Sequence, residues 1–492
     1  MSRRTPVVAV IGAGMSGIYM GVRLRQAGID FTIYEKAASV GGVWRENSYP
    51  GLHCDVPSRY YTYPFELNPD WTTFTAAGPE IREYFEGVAR KYGVLDHIRF
   101  GSEVVGCTFD GRRWQLRTAD GHEATADFVL TACGVLHHPK YPDLPGLDTF
   151  AGDCFHSARW DHSVSTDGKR VAVVGTGSTG VQIVGAIAGS VGTLVHFQRT
   201  PQWICPMPNG SYSKLTRTVM RRSKLAREVS HRFWRKLFGG ATSRYMTEEG
   251  LWRKLVRTAC AVNLRLGVRD PELRRRLTPN YPAGCKRIVM STRFYPAIRR
   301  PNVHVVTDRI DRVVAEGIVT ADGQLHEVDV LVLATGFHAQ SFMLPIEITG
   351  ETGETVKQMW GEVPKGYQTI ALPGFPNFFM LAGPHNPLGN QPVVDSARIQ
   401  TDYIMAWLEM YRDGRYDLVA PTPEATKAFN DEIEGCYPNQ TIWTTSDCNS
   451  YYIGKDGLPS VWPWRAERYG EMLRTPRLED FELRRLPAQV ES

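Results

Sequence analysis

The stretch VVAVIGAGMSG at residues 7–17 decides the fold class of this 492-residue chain. Five apolar residues run directly into a Gly-x-Gly-x-x-Gly pattern formed by Gly12, Gly14 and Gly17. In a strand–turn–helix unit the first glycine makes the tight turn, the second lets a pyrophosphate approach the backbone, and the third lets helix and strand pack closely. The stretch therefore predicts a dinucleotide-binding unit, in which Glu35 at the end of the next strand accepts hydrogen bonds from a ribose diol.

The same pattern recurs 163 residues later, after the apolar run at residues 171–174. The residues expected to hold the second pyrophosphate are Gly175, Gly177, Ser178, Thr179 and Gly180. Arg199 stands 19 residues after the last of these glycines, where the first unit has its glutamate. A guanidinium group suits a 2′-phosphate, so the second nucleotide is predicted to be NADP rather than NAD.

The end of each unit repeats as well. Residues 127–134 (DFVLTACG) are similar to residues 329–336 (DVLVLATG), and both patterns indicate a buried strand that ends in a glycine turn. The second unit is longer than the first and so has room for an insertion. A chain with two dinucleotide pockets usually moves electrons from one nucleotide cofactor to the other.

Composition excludes several other classes. Hydrophobic residues make up 42% and charged residues 22% of the chain, as in an ordinary soluble globular protein. Neither a signal peptide nor an apolar run long enough to span a membrane is recognisable. The nine cysteines are scattered without metal-ligand spacing, so we expect no metal site and a cytoplasmic location.

Three motifs carry a family resemblance. Residues 150–161 (FAGDCFHSARWD) match F-x-G-x-x-x-H-x-x-x-W-[PD], the pattern that marks type I Baeyer–Villiger monooxygenases and that lies, as here, just before the second glycine turn. Residues 41–55 match G-G-x-W-x-x-x-x-Y-P-G-x-x-x-D, and residues 284–287 are similar to G-x-K-R. The chain thus resembles these class B flavin-dependent monooxygenases over most of its length, less so in the middle and at the C-terminus.

The resemblance implies both cofactors and a reaction. FAD would occupy the first pocket and NADPH the second. NADPH reduces FAD, O2 then gives a C4a-peroxyflavin, and this intermediate inserts one oxygen beside a ketone carbonyl to form an ester or lactone. The same intermediate oxygenates soft sulfur or nitrogen atoms, so a sulfide is an alternative to a ketone as the small-molecule substrate.

The resemblance also implies residue roles. Arg287 matches the catalytic arginine, and Asp55 matches the carboxylate that positions it. Lys286 matches a residue that contacts the 2′-phosphate together with Arg199. Trp44 lies in the motif that lines the flavin, where we expect it to pack rather than to react.

His156, in the longest motif, is expected to couple the two domains rather than to transfer protons. Two segments depart from the family pattern. Tyr451 stands where many members have a tryptophan, and residues 383–387 (GPHNP) differ from the usual G-P-x-S-P.

The expected fold is α/β, with two Rossmann-like dinucleotide-binding domains, for FAD and for NADP, and a helical insertion. The predicted segments are 1–145 (FAD domain, first part), 150–205 (NADP domain, first part), 206–290 (basic helical insertion), 291–372 (NADP domain, second part) and 373–492 (FAD domain, C-terminal part).

The insertion carries the positive charge of the chain. Residues 211–276 contain 18 Lys and Arg against 5 Asp and Glu, a net charge of +13, which leaves −8 for the remainder of a chain whose total is +5. Solvated charge on helices packed against the body is one interpretation. Because bulky apolar residues alternate with the cations at helical spacing, peripheral contact with an anionic membrane is the other. No recognition motif for nucleic acid accompanies the charge.

Two further classes of protein fit the sequence less well. A disulfide reductase of similar build needs a redox-active cysteine pair beside the flavin, and Cys54 has no cysteine near it in the sequence. A non-catalytic nucleotide sensor would bind both cofactors without consuming NADPH, and the Lys286-Arg287 pair argues against it.

Overall fold

In the computed structural model, which describes residues 4–248, 250–437 and 450–487, the apolar run at residues 7–11 is the central strand of a parallel sheet. The strands up to residue 131 are β1 (Val7–Ile11), β2 (Asp30–Glu35), β3 (Ile98–Phe100), β4 (Val104–Phe109), β5 (Trp114–Thr118), β6 (Glu123–Ala126) and β7 (Phe128–Thr131). The helices in this part are α1 (Met15–Gln26), α2 (Val43–Glu46) and α3 (Gly78–Lys91).

The second glycine turn is flanked by β8 (Asp153–His156), β9 (Arg170–Val174), α4 (Ser178–Ile187), β10 (Thr193–Phe197) and β11 (Ile204–Cys205). A helical segment then contains α5 (Lys214–Arg222), α6 (Lys224–Trp234), a π-helical turn over Arg235–Gly239, α7 (Gly240–Thr247), α8 (Leu251–Gly267) and α9 (Pro271–Arg276). The chain continues with β12 (Val289–Met290), α10 (Phe294–Ile298), β13 (Val303–Val306), β14 (Ile310–Val314), β15 (Gly317–Thr320), β16 (Leu325–Glu327) and β17 (Val330–Leu333).

The last part of the chain contains β18 (Glu347–Thr349), α11 (Val356–Trp360), β19 (Phe378–Met380), α12 (Val393–Arg412), β20 (Leu418–Pro421), α13 (Pro423–Cys436), α14 (Ala466–Met472) and β21 (Phe481–Arg484).

Two parallel five-stranded sheets organise these elements. The first has the order β19-β7-β1-β2-β3 and the second the order β13-β10-β9-β17-β8. All pairings within both sheets are parallel. The predicted α/β class with two Rossmann-like units and a helical insertion is therefore confirmed.

Each parallel sheet is covered on both faces in the same manner. Val8 and Val10 of β1 pack among residues of α1 and α12, whereas Ala9 and Ile11 face the antiparallel strands β4 and β5. In the second unit, alternate residues of β9 likewise face α4 and α10 on one side and the antiparallel strands β14 and β15 on the other. Strands buried on both faces read as unbroken apolar runs, which is why these two were recognisable in the sequence.

The helical segment is closed at its base by strand pairing. Ile204 pairs with Val289, and Cys205 with Met290, in a two-stranded parallel sheet. This pairing brings together the two ends of a segment whose predicted bounds were 206 and 290.

The chain returns to the first unit at β18, which is earlier than the boundary predicted from the sequence. The predicted second part of the NADP domain ran over 291–372, but β18 pairs with β4 of the first unit through Glu347 and Gly106. Ile348 and Trp360 are buried in the cluster that covers β1. A three-residue strand leaves too short a pattern to be read from sequence, so the boundary at 373 lies too late for this part of the fold.

Burial of uncharged histidines makes the stability of the fold sensitive to acid. His196 on β10 is completely buried, and its Nε2 donates to the Gly175 carbonyl at 3.0 Å. Its Nδ1 has no partner among the described residues, and burial lowers the pKa of this imidazole to about 4. His385 is also buried, and burial lowers its pKa to about 4. Since the unfolded state binds protons more readily than the folded state here, acid favours unfolding.

We therefore expect the thermal midpoint of unfolding to be constant above about pH 6.5, the ordinary histidine pKa, and to fall as the pH drops toward 4. In His196→Gln, whose amide can still donate to Gly175, the fall between pH 6.5 and 4 should be shallower. The exposed His304→Gln provides the matched control. Equal slopes for the wild type and His196→Gln, measured by differential scanning calorimetry, would contradict this account.

Candidate functional site

The first glycine turn joins β1 to α1 and leaves the helix start open. A Cβ atom on Gly17 would lie 1.9 Å from the Gly12 carbonyl oxygen, so only glycine allows helix and turn to approach this closely. Gly14 faces Gly42, and a Cβ on Gly14 would lie 3.5 Å from the Gly42 Cα. No side chain among the described residues caps α1. The free N–H groups and the helix dipole are suited to a pyrophosphate.

Glu35 closes this turn from the end of β2. It is 5% exposed; its Oε2 accepts from the Ala13 N–H at 2.8 Å, and its Oε1 from the Ala37 N–H and from Arg45 Nη1, both at 3.0 Å. An ionised carboxylate has about four acceptor positions, so one remains for a ribose hydroxyl. Arg45, which the sequence did not single out, compensates the buried charge.

The second glycine turn has the same close packing as the first, but it leaves more open space beside its middle glycine. A Cβ atom on Gly180 would lie 2.1 Å from the Gly175 carbonyl oxygen, whereas one on Gly177 would meet no atom within 4 Å. Ser178 and Thr179 form the first residues of α4, and no side chain among the described residues caps this helix. The open space at Gly177 fits a ligand that approaches the backbone closely.

Two cations lie together beyond the second turn. Arg199 is exposed after β10, and Lys286 is close enough that burial and, to a lesser degree, the charge of Arg199 lower the pKa of its ammonium group. The Lys286 ammonium also lies 4.9 Å from the centre of the Tyr281 ring. Within the described part of the chain, neither cation has an ion-pair partner. Adjacent cations without an acid between them suit a phosphate monoester.

Arg287 and Asp55 form an ion pair although 232 residues separate them. Nε and Nη2 of Arg287 both donate to Oδ2 of Asp55, at 2.9 and 2.7 Å. Nη1 donates to the Leu388 carbonyl at 3.4 Å. The Asp55 charge is the main reason that the pKa of Arg287 is raised well above its usual range. The arginine side chain is 41% exposed, so the guanidinium group is both fixed and accessible.

The segment that carries Asp55 is tied to the second unit. The Tyr49 hydroxyl donates to Gln182 Oε1 at 3.0 Å, and Gln182 Nε2 donates to the His53 carbonyl at 3.0 Å. Gln182 belongs to α4, so the helix that starts at the second glycine turn also positions the loop holding Asp55. Neither contact was predicted, because no local pattern links residues so far apart.

Trp44 packs against neighbouring aromatic residues. Its indole N–H donates to the Tyr61 hydroxyl at 3.1 Å, and the two rings meet edge to face at 5.7 Å. Tyr61 belongs to the buried core around β1, and Trp44 packs against that core. Contact of Trp44 with a flavin stays a prediction.

The loop at residues 383–391 contains an unpaired buried amide. Asn386 is 3% exposed, and neither its Oδ1 nor its Nδ2 has a partner among the described residues. Leu388 of the same loop is the residue whose carbonyl accepts from Arg287. Buried amides normally have partners, so this one fits a bound polar ligand such as a flavin. The departure from G-P-x-S-P therefore falls at a residue with free hydrogen-bonding capacity.

His156 is placed for a structural role. It is completely buried between β8 and the following 3₁₀ turn, where its Nδ1 accepts from the Ala158 N–H at 3.1 Å. Burial lowers the pKa of the imidazole. Coupling of the two domains by His156 stays a prediction.

Tyr451, the other departure from the family pattern, lies near the ion pair. It is 50% exposed, its ring centre is 4.3 Å from that of Tyr452, and both tyrosines contribute, less than Asp55 does, to the raised pKa of Arg287. The twelve residues before Ser450 lie outside the described part of the chain.

In the described ranges, no group of three or more His, Cys, Asp or Glu side chains is arranged to hold a metal ion. Nor does this part of the chain contain a helix of sufficient length and apolar character to cross a membrane.

Comparison with known proteins gives consistent results. Residues 5–237 match the family model of flavin-binding monooxygenase-like proteins. An uncharacterized monooxygenase of Mycobacterium tuberculosis is 49% identical over 99% of this chain and 98% of its own. A Baeyer–Villiger monooxygenase of Streptomyces coelicolor is 38% identical over 98% of this chain and 94% of its own. The crystal structure of OTEMO in complex with FAD and NADP superimposes with a TM-score of 0.85 at 29% identity, covering 98% of this chain and all of that one.

The Arg199–Lys286 cluster generates a testable prediction about the nicotinamide cofactor. Arg199→Met removes one charged donor, so we expect the ratio of kcat/KM for NADPH to that for NADH to fall about 10- to 100-fold. Arg309→Met, at an arginine that is 80% exposed in another part of the second unit, is the matched control. An unchanged ratio in Arg199→Met, measured by oxidation of each nucleotide, would exclude a 2′-phosphate contact.

Proposed function

Because the chain belongs to the Baeyer–Villiger monooxygenases, a family of flavin-dependent monooxygenases with FAD and NADP(H) as cofactors, we propose that it uses NADPH and O2 to insert one oxygen atom beside a ketone carbonyl. The product would be an ester or a lactone. The observation that carries this proposal is the fixed, accessible Arg287 guanidinium group on Asp55.

The two nucleotides have separate sites on the chain. FAD would be held by the turn at Gly12, Gly14 and Gly17, with Glu35 accepting from its ribose. NADPH would be held by the turn at residues 175–180, with Arg199 and Lys286 on its 2′-phosphate. These assignments are supported by the remaining acceptor position on Glu35, and by two helix N-termini and two cations that have no side-chain cap or ion-pair partner among the described residues.

The ion pair connects these two sites. Asp55 ends the motif in which Gly42 faces Gly14 of the first turn. Arg287 directly follows Lys286, whose ammonium group interacts with Arg199 beyond the second turn. A cation in this position can act where a reduced flavin and a nicotinamide meet.

Arg287 is suited to hold negative charge. Three of its hydrogen bonds go to Asp55 and Leu388, so two of the five guanidinium N–H groups have no partner among the described residues. A bound reduced flavin would supply the two electrons that activate O2, of which one oxygen atom would enter the product and the other would leave as water. Negative charge then develops on the ketone oxygen, and a preorganised donor stabilises it. The raised pKa of Arg287 means that the group orients and stabilises but does not donate a proton.

Asp55 has a positioning role. It occupies the Nε edge of the guanidinium group and thereby turns the remaining N–H groups away from itself. Its charge also compensates Arg287 before the substrate charge develops. Oxygenation of a sulfide proceeds without an oxyanion on the substrate, so this arrangement favours a ketone over a soft heteroatom.

The proposed reaction is tested by isotope labelling. Purified, FAD-loaded protein is incubated with NADPH and heavy O2 in the presence of matched linear ketones, an aryl ketone and an aryl sulfide, and products are read by mass spectrometry. We expect one heavy oxygen atom in an ester. Heavy oxygen in the sulfoxide alone would assign the enzyme to heteroatom oxygenation, and NADPH consumption with peroxide as the sole product would contradict the ketone assignment for this panel.

Arg287→Ala tests the role of the cation. Loss of one preorganised oxyanion donor typically costs about 100- to 1,000-fold in kcat, so ester formation should fall by that factor. The visible flavin absorbance should be retained, because Arg287 lies outside the first glycine turn. Arg309→Ala serves as the matched control, and ester formation by Arg287→Ala at the control's rate would exclude the role.

A further inference from the structure

The helical insertion concentrates the exposed apolar surface of the protein. Of fourteen large apolar side chains that are exposed in the described residues, ten lie between residues 215 and 266. These ten are Leu215, Val219, Leu225, Val229, Phe233, Leu237, Leu251, Leu255, Val262 and Leu266. Scattered exposed apolar residues are normal on a soluble surface, but a cluster of this kind marks a contact surface.

Four of them form one row, here called the outer stripe. Leu225, Val229, Phe233 and Leu237 follow one another at intervals of four residues along α6 and the π-helical turn. Residues four apart lie on the same side of a helix. The outer stripe is therefore continuous over about three turns, and its members are 45 to 68% exposed.

The opposite side of the same helix is anchored to the first unit. His231 is buried, and its Nδ1 lies 3.0 Å from the Arg59 carbonyl oxygen. Trp234 and Phe238 pack against the core around β1. Because these contacts fix which side faces inward, the outer stripe faces outward.

The flanks of the outer stripe are strongly cationic. Residues 214–237 contain nine Lys and Arg and a single Glu, a net charge of +8. The side chains of Lys224 and Arg232 are 83 and 71% exposed, and both pair with Glu228, which is the one acid in this stretch. Arg221 and Arg235 pair with Asp70 and Asp395 outside the insertion, so about six positive charges of this stretch have no acidic partner among the described residues.

The combination of an apolar row with flanking cations indicates which partner binds the outer stripe. A second copy of the chain would bring an equally cationic surface against the outer stripe, and like charges in apposition are unfavourable. The surface of an anionic bilayer offers phosphate groups to the cations and acyl chains to the apolar row. We propose that the outer stripe and its flanking cations bind an anionic lipid bilayer, with α6 lying in the headgroup region parallel to the surface.

The proposal is tested with the full-length, FAD-loaded protein and sedimented vesicles. Vesicles of phosphatidylcholine alone are compared with vesicles containing phosphatidylglycerol, at low and high salt. We expect binding to the anionic vesicles that weakens with salt, and little binding to the neutral ones. Equal binding to both compositions would overturn the proposal.

Variants separate the two parts of the surface. Phe233→Ser/Leu237→Ser should lower the partition coefficient at least about tenfold by removing apolar area. Lys224→Gln/Arg232→Gln/Lys236→Gln should lower it on the order of 100-fold. Leu136→Ser/Leu325→Ser, at exposed leucines outside the insertion, is the matched control and should bind like the wild type.

Retained flavin absorbance and far-ultraviolet circular dichroism show that each variant is folded, and neither readout depends on the substrate. Wild-type binding by Phe233→Ser/Leu237→Ser would overturn the proposal. So would a dimer in analytical ultracentrifugation that this double variant abolishes, because a second copy would then be the occupant.

Discussion

The ion pair between Arg287 and Asp55 is the contact on which the site depends. It joins a loop near the first glycine turn to the segment between α9 and β12, so neither partner can be placed without the whole fold. Truncating one partner of this pair leaves the other charge without its counter-ion and the guanidinium group without its main anchor. Gln182 of α4 binds the loop on one side, and the Leu388 carbonyl accepts from the guanidinium group on the other. Several independent contacts therefore fix the position of the Arg287 guanidinium group.

The two dinucleotide-binding units are built in the same way. In each, a parallel sheet is covered by helices on one face and by a small antiparallel sheet on the other, and a glycine turn opens a helix start toward the ligand. They differ in the side chain that follows the second strand, which is Glu35 in one unit and Arg199 in the other. A buried carboxylate suits ribose hydroxyls, and an exposed guanidinium group suits a phosphate. We propose that this exchange of charge is how one architecture distinguishes the two nucleotides.

Much of this was predictable because strands buried on both faces and glycine turns leave strong local patterns. The fold class followed from these patterns, and Arg199 indicated NADP as the second nucleotide. The family and its FAD cofactor followed instead from the three family motifs at residues 41–55, 150–161 and 284–287. The proximity of Arg287 to Asp55 followed from the family resemblance alone, since no periodicity links positions 232 residues apart. The pairing of β18 with β4, the ion pair of Arg45 with Glu35 and the orphan amide of Asn386 were not predictable. All three are created by tertiary packing, and a sequence pattern reports only local structure.

A double-mutant cycle on the ion pair tests the central claim most directly. The rate of ester formation is measured for the wild type, Asp55→Ala, Arg287→Ala and the double variant, each loaded with FAD and supplied with NADPH. If Asp55 acts by positioning Arg287, the double variant should be no slower than Arg287→Ala, because there is then no cation left to position. If the two single effects multiply instead, the residues act independently, and the account of a carboxylate that holds a catalytic cation is wrong.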